Sequence, residues 1–198
     1  MPLFLNLQMK KLFIAPIVFI LLHFAAPVFA DDFQDGLDAA GRGDFTTAFE
    51  KWEPLARRGS ALAQFNLGLM YDKGEGVKRN YSKAVKWYKP AAKQGIASAQ
   101  FNLGALYSKG KGVRQSFKKA RMFYNRAAKQ GNASAQFNLG LMYDIGEGMT
   151  PDYKRAIKWY RLAAQQNNAQ AQFNLGQLYE SGERVTQDYK KAIKWYKL

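Results

Sequence analysis

The hexapeptide Ala-Gln-Phe-Asn-Leu-Gly stands at residues 63–68, 99–104, 135–140 and 171–176, always 36 residues apart. A fixed period of that length marks stacked supersecondary units, none of which can bury its apolar face alone. The chain is therefore expected to fold as a solenoid and not around one globular core. Solenoids act chiefly by presenting an extended surface, so the functional question becomes which face meets a partner.

Each period reads as two helices. Over Ala61–Lys73, the residues Ala63, Leu67, Met70 and Tyr71 share one helical face. A loop, Gly74-Glu75-Gly76-Val77, leads to a second helix from about Tyr81 to Gln94, with Ala84, Trp87, Tyr88, Ala91 and Ala92 as its packing residues. The punctuation repeats as well. Asp44, Asn80, Ser116, Asp152 and Asp188 precede the second helices, where a side-chain oxygen can accept from free first-turn N–H groups. Gly59, Gly95, Gly131 and Asn167 follow them, the two residue types that best tolerate a left-handed helix end. Pro54 and Pro90 fall inside second helices and are expected to bend them. Gly68, Gly104, Gly140 and Gly176 sit mid-helix, where Gly costs about 1 kcal/mol relative to Ala. Repetition of that cost predicts close approach of the paired helix.

The pattern Ala-Gln-Phe-Asn-Leu-Gly-x-x-Tyr, the Gly-x-Gly-Val loop and the run Tyr-x-x-Ala-x-x-Trp-Tyr-x-x-Ala-Ala-x-Gln-Gly at Tyr81–Gly95 resemble the Sel-one-like repeat (SLR) family, a relative of the tetratricopeptide repeats. The resemblance implies an all-α fold, an α/α superhelix of 36-residue helix-loop-helix repeats, first helices on the concave side and second helices on the convex side. It also implies scaffold or adaptor roles, frequently in bacterial envelopes. The expected units are 60–95, 96–131, 132–167 and a shorter 168–198. Ahead of them, 31–59 is similar to a tetratricopeptide repeat and caps the stack: Phe33, Gly36 and Leu37 match Phe65, Gly68 and Leu69, with a shorter loop between helices. Two departures stand out. Gly182-Glu183-Arg184 replaces Gly-x-Gly, so that loop is expected to differ. The last second helix stops at Leu198, which aligns with Leu162, and leaves Ile193, Trp195 and Tyr196 on a short helix. That end reads as a frayed terminus, a docking or homodimer surface, or a truncated product.

The front of the chain reads as an address. Lys10 and Lys11 precede an apolar run from Leu12 to Phe29, which closes with Val28-Phe29-Ala30 before Asp31-Asp32. This is the pattern of a secretory signal peptide over 1–30, with Met9 as the expected start. Pro16, His23 and Pro27 interrupt the run, which argues for cleavage after Ala30 over an uncleaved anchor. The mature chain is expected to be periplasmic or secreted, with no transmembrane segment. His23 is the one histidine and cysteine is absent, so the mature chain has no imidazole base, thiolate or usual zinc ligand, and no disulfide. No cofactor or metal is expected.

With Leu67 at the centre of the buried face and about 100° per residue, Phe65, Leu69 and Asp72 fall on the opposite side. Repeating the register gives Phe65, Phe101, Phe137 and Phe173, beside them Leu69, Ala105, Leu141 and Gln177, then Asp72, Ser108, Asp144 and Glu180. An apolar stripe bordered by acids can hold an extended or helical peptide. Alternatively, each Phe packs against the first helix of the neighbouring repeat, and the variable positions carry specificity. Asn66, Asn102, Asn138 and Asn174 read as a structural hydrogen-bond ladder. The second helices carry a basic face: Lys83, Lys86, Lys118, Arg121, Lys154, Lys158, Lys190 and Lys194.

Three functional classes follow. The preferred one is a non-catalytic adaptor that binds a protein or peptide on the concave side. The second is a binder of anionic envelope lipid or glycan through the basic convex face. The third is an inhibitor or immunity protein. Nucleic acid is disfavoured by the export signal and by the lack of a nucleic-acid-binding motif. An enzyme is disfavoured too. Ser-x-x-Lys occurs at Ser108–Lys111 and Ser116–Lys119, but without Ser-Asp-Asn or Lys-Thr-Gly, and the Gly-x-Gly pairs lack phosphate-loop spacing.

Overall fold

The structure, a computed structural model, describes residues 32–197; the expected signal peptide over 1–30 lies outside the described residues. Ten helices and no strand occur among the described residues. Helix α1 (32–41) pairs with α2 (Phe45–Arg57) in the N-terminal unit. Four longer units follow: α3 (Ala61–Lys73) with α4 (Tyr81–Lys93), α5 (Ala97–Lys109) with α6 (Phe117–Lys129), α7 (Ala133–Ile145) with α8 (Tyr153–Ala164), and α9 (Ala169–Ser181) with α10 (Tyr189–Tyr196). Each first helix packs on the second helix of its own unit and on that of the unit before. The result is an all-α solenoid. Helix α3 also reaches α5, a direct contact between the first helices of neighbouring units.

The helix ends follow their capping residues. Side chains of Asp44, Asn80, Ser116, Asp152 and Asp188 each accept from the backbone N–H three residues on. Such a cap contributes about 1 kcal/mol. Gly59, Gly95, Gly131 and Asn167 all take positive φ where the second helices end. Ser60, Asn132 and Asn168 cap first helices in the same way, whereas Ile96 supplies no side-chain bond. Helices α2 and α4 run on through Pro54 and Pro90.

The mid-helix glycines explain how the two rows approach. A Cβ added at Gly68, Gly104, Gly140 or Gly176 would lie 2.4, 2.6, 2.7 or 2.2 Å from the ring of Tyr88, Tyr124, Tyr160 or Tyr196 in the paired helix. Gly36 leaves the same space for Trp52. Tyr88 and Tyr160 are buried completely as a result. Burying a large apolar side chain contributes about 1.5–3 kcal/mol, more than the helix propensity that Gly gives up.

A second repeated device ties each unit to the one before. Gln64, Gln100, Gln136 and Gln172 are buried, and their amides donate to the carbonyls of Ala56, Ala92, Ala128 and Ala164 at 3.0–3.2 Å. Their side-chain oxygens in the first three cases accept from Gln94, Gln130 and Gln166 at 2.8–2.9 Å. One side chain thus closes a buried carbonyl and joins three helices.

Repeat four departs as expected, with a specific cause. Gly76, Gly112 and Gly148 hold positive φ and pass close to the start of the preceding second helix; Arg184 occupies the equivalent place. Its φ is not positive, and its guanidinium turns back to pair with Asp144 and cover the Tyr153 ring at 5.2 Å.

Gly104→Ala is expected to destabilise the chain by about 1–3 kcal/mol in urea unfolding, because the new methyl meets Tyr124. Gly41→Ala is the control: it lies in α1 with open space around its Cβ, and should be neutral or stabilising by up to about 1 kcal/mol.

Candidate partner-binding site

The first-helix side carries a series of clefts built from equivalent positions. The N-terminal cleft, about 160 Å³, is lined by Asn66, Leu69, Met70 and Glu75 with Phe45 and Trp52 of α2. The next, about 130 Å³, has Asn102, Ala105, Leu106 and Lys111 at those places, with Asp72, Tyr81 and Lys109. The third, about 280 Å³, has Asn174, Gln177, Leu178 and Glu183, with Asp144, Ser181 and Arg184. Asn is constant in all three, while the side chain three residues later changes from Leu to Ala to Gln. The linings pass from apolar at the N-terminal end to charged at the C-terminal end.

The expected ladder of Phe65, Phe101 and Phe137 is half-buried, and Phe173 is exposed. Each ring leans on the second-helix Tyr of its own unit, with centroids 5.8–6.0 Å apart. Leu69, Ala105 and Leu141 are half-buried against the core; Gln177 and Glu180 are exposed. Three of the acids expected to border the groove accept from second-helix tyrosines. Tyr88 donates to Asp72 at 3.2 Å, Tyr160 to Asp144 at 3.3 Å, and Tyr196 to Glu180 at 2.7 Å. Asp144 lines the third cleft but is largely buried there and already paired with Arg184. Ser108 makes no bond to Tyr124 among the described residues.

The asparagine ladder forms in part. Asn102 and Asn174 donate to the hydroxyls of Tyr88 and Tyr160 at 2.9 and 3.2 Å, joining each unit to the next. Asn138 instead donates to the Ser134 carbonyl at 2.8 Å, and Asn66 lines the first cleft. Sequence reasoning missed Glu75, Lys111, Glu183 and Arg184 as lining residues. The signal was available: one loop place varies in charge within an otherwise constant frame.

On the second-helix side, Lys83, Lys86, Lys118, Lys154, Lys158, Lys190 and Lys194 are exposed. Arg121 is half-buried, and its guanidinium contacts Met149 Sδ at 2.9 Å. A further pattern lay unread in the sequence. Lys83, Lys119, Arg155 and Lys191 lie over the rings of Tyr71, Tyr107, Tyr143 and Tyr179 at 5.0–5.5 Å, so one cation per repeat is structural. The Ser-x-x-Lys pairs are engaged similarly. Ser116 caps α6, and the Lys111 ammonium lies 5.0 Å from the Tyr81 ring centroid. No helix among the described residues is long and apolar enough to cross a membrane.

Comparison with known proteins follows the same register. Residues 61–96, 97–132, 133–168 and 169–198 each match the Sel1 repeat model. The structure of a Sel1 repeat protein from Oxalobacter formigenes aligns with 34% identity and a TM-score of 0.77, over 85% of this chain and 71% of that one. A protective antigen present in uropathogenic Escherichia coli strains, which displays an SLR fold, aligns with 33% identity and a TM-score of 0.79 over 85% of this chain and 37% of its own. The rat protein DAP3-binding cell death enhancer 1 shares 42% identity over 50 residues, 25% of this chain; the matched stretch spans 10% of that protein.

The buried tyrosines yield a pH test. Burial lifts the phenol pKa of Tyr88, Tyr124 and Tyr160 well above its ordinary value, and the nearby charges of Asp72, Glu147 and Asp144 raise them further. A folded pKa above the unfolded value of about 10 gives stability that is complete below pH 10 and is lost as pH rises above it. Absorbance at 295 nm is expected to show these phenols ionising only together with loss of helical circular dichroism. Ionisation near pH 10 of every tyrosine with the helices intact would contradict the packing.

Proposed function

The chain belongs to the Sel1 repeat family, and on that premise we propose that it is an exported adaptor of a bacterial envelope, holding an extended segment of a partner protein along its first-helix face. Proteins of this family are generally protein-interaction scaffolds, and the repeat is typically a non-catalytic module. The observation that carries the proposal is the row of equivalent clefts with different linings. A constant frame fixes where a bound backbone would run; the variable position in each cleft selects what fits. The frame is held by buried Tyr and Gln side chains before any partner arrives, so little ordering opposes binding.

The linings state the chemistry of the partner. Leu69, Met70 and Trp52 favour an apolar side chain at the N-terminal cleft. Lys109 and Lys111 favour an acidic one at the next. Gln177, Ser181 and Glu183 favour a polar or basic one at the third. Export is inferred from the pattern in residues 1–30, which places the partner outside the cytoplasm.

A displayed library of random peptides tests this reading. Peptides selected on the chain are expected to lose affinity on the order of tenfold or more with Ala105→Arg or Gln177→Arg, since both side chains enter clefts directly. Selected peptides indifferent to both substitutions would end the proposal.

A further inference from the structure

The second helices of the four long units carry no acid at all. Helices α4, α6, α8 and α10 contain Lys and Arg but not one Asp or Glu, whereas α2 of the N-terminal unit carries Glu50 and Glu53. Part of this positive charge is committed internally, on tyrosine rings and on Met149. The remainder is not. Lys86, Lys118, Lys154, Lys158, Lys190 and Lys194 are exposed and make no ion pair among the described residues. Lys118, Lys154 and Lys190 stand at one place in successive repeats, and Lys86, Lys158 and Lys194 at the place four residues on, so they share one face.

This face also has an apolar point among its cations. On α6, exposed Lys118 and Met122 and half-buried Arg121 and Asn125 share one stripe, which with Lys119 and Tyr143 lines a cavity of about 500 Å³. Met122 is 41% exposed at the place held by Lys86, Lys158 and Lys194 in the other repeats. Ile193, 51% exposed, stands at the place of Val85, Arg121 and Ile157, which are buried or half-buried, so it belongs to the packing register and not to the basic face. A wholly hydrophilic polyanion gains nothing from Met122. A bilayer surface uses both kinds: phosphates meet the cations, and short apolar side chains reach the region just below them.

We infer that the second-helix face is a docking surface for an anionic phospholipid bilayer, with Lys118, Lys154, Lys158 and Lys194 meeting headgroup phosphates and Met122 entering the interface. This leaves the first-helix clefts facing away from the membrane, and it stands independently of whether they bind a peptide.

Vesicle sedimentation of the full chain tests the inference, with phosphatidylcholine alone and with phosphatidylcholine containing phosphatidylglycerol. Residues 1–30 carry Lys10 and Lys11 beside their apolar run and are the same in every variant, so the change in preference between variants reports the basic face. Binding is expected to be at least about tenfold stronger to the anionic vesicles. Lys118→Ala, Lys154→Ala and Lys194→Ala together should remove most of that preference. Arg42→Ala, Lys78→Ala and Arg114→Ala together, the same charge lost elsewhere, should retain it. Met122→Ser should weaken binding several-fold at unchanged net charge. Equal binding to both vesicles would overturn the inference. So would equal loss in the charge-matched variant, indifference to Met122→Ser, or binding of soluble heparin without binding of vesicles.

Discussion

A tyrosine ring laid over a glycine sets the distance between the two rows of helices, and the rest of the molecule depends on that distance. The ring of Tyr88, Tyr124, Tyr160 or Tyr196 fills the volume that a side chain at Gly68, Gly104, Gly140 or Gly176 would take. From there it supports a Phe on the first helix. Its hydroxyl then meets an acid in three of these units and an Asn of the next unit in two. Core, inter-repeat joint and cleft wall are thus one connected set of side chains. Displacing the ring would loosen the surface along with the core, because close-packed interiors transmit strain.

Much of this was legible in the sequence because it is local and periodic. The period of 36, the N-cap residues and the Gly or Asn that turns left-handed after each second helix are readable from single positions. The mid-helix glycines announced a close approach without naming what approaches, since the ring comes from twenty residues away in each case. The glutamine bridges were illegible for the same reason: Gln64 meets Gln94 only when two helices of a unit are folded together. Asp144 shows the limit most clearly. A helical wheel places it opposite Leu67's equivalent, and that is geometrically sound. The wheel has no knowledge of Tyr160 from the paired helix or Arg184 from the next repeat, which together bury it.

The acids of the long repeats, unlike the cations, keep off the second helices themselves. Acids of the long repeats cap helices, accept from tyrosines or line the loops beside the clefts. Cations gather on the second helices, where one in each repeat is fastened to a ring and others face solvent. The first-helix clefts mix acids with Lys109, Lys111 and Arg184, whereas the second helices of the long units carry cations without acids, so the two faces of one frame differ in chemistry.

Hydrogen exchange, followed by mass spectrometry with and without a selected peptide, tests most directly the claim that recognition occurs on the first-helix face of a preformed frame. Slowed exchange is expected in the C-terminal halves of α3, α5 and α9 and in the loops after them, with α4, α6 and α8 unchanged. Protection centred on the second helices, or ordering of the whole chain on binding, would contradict that claim.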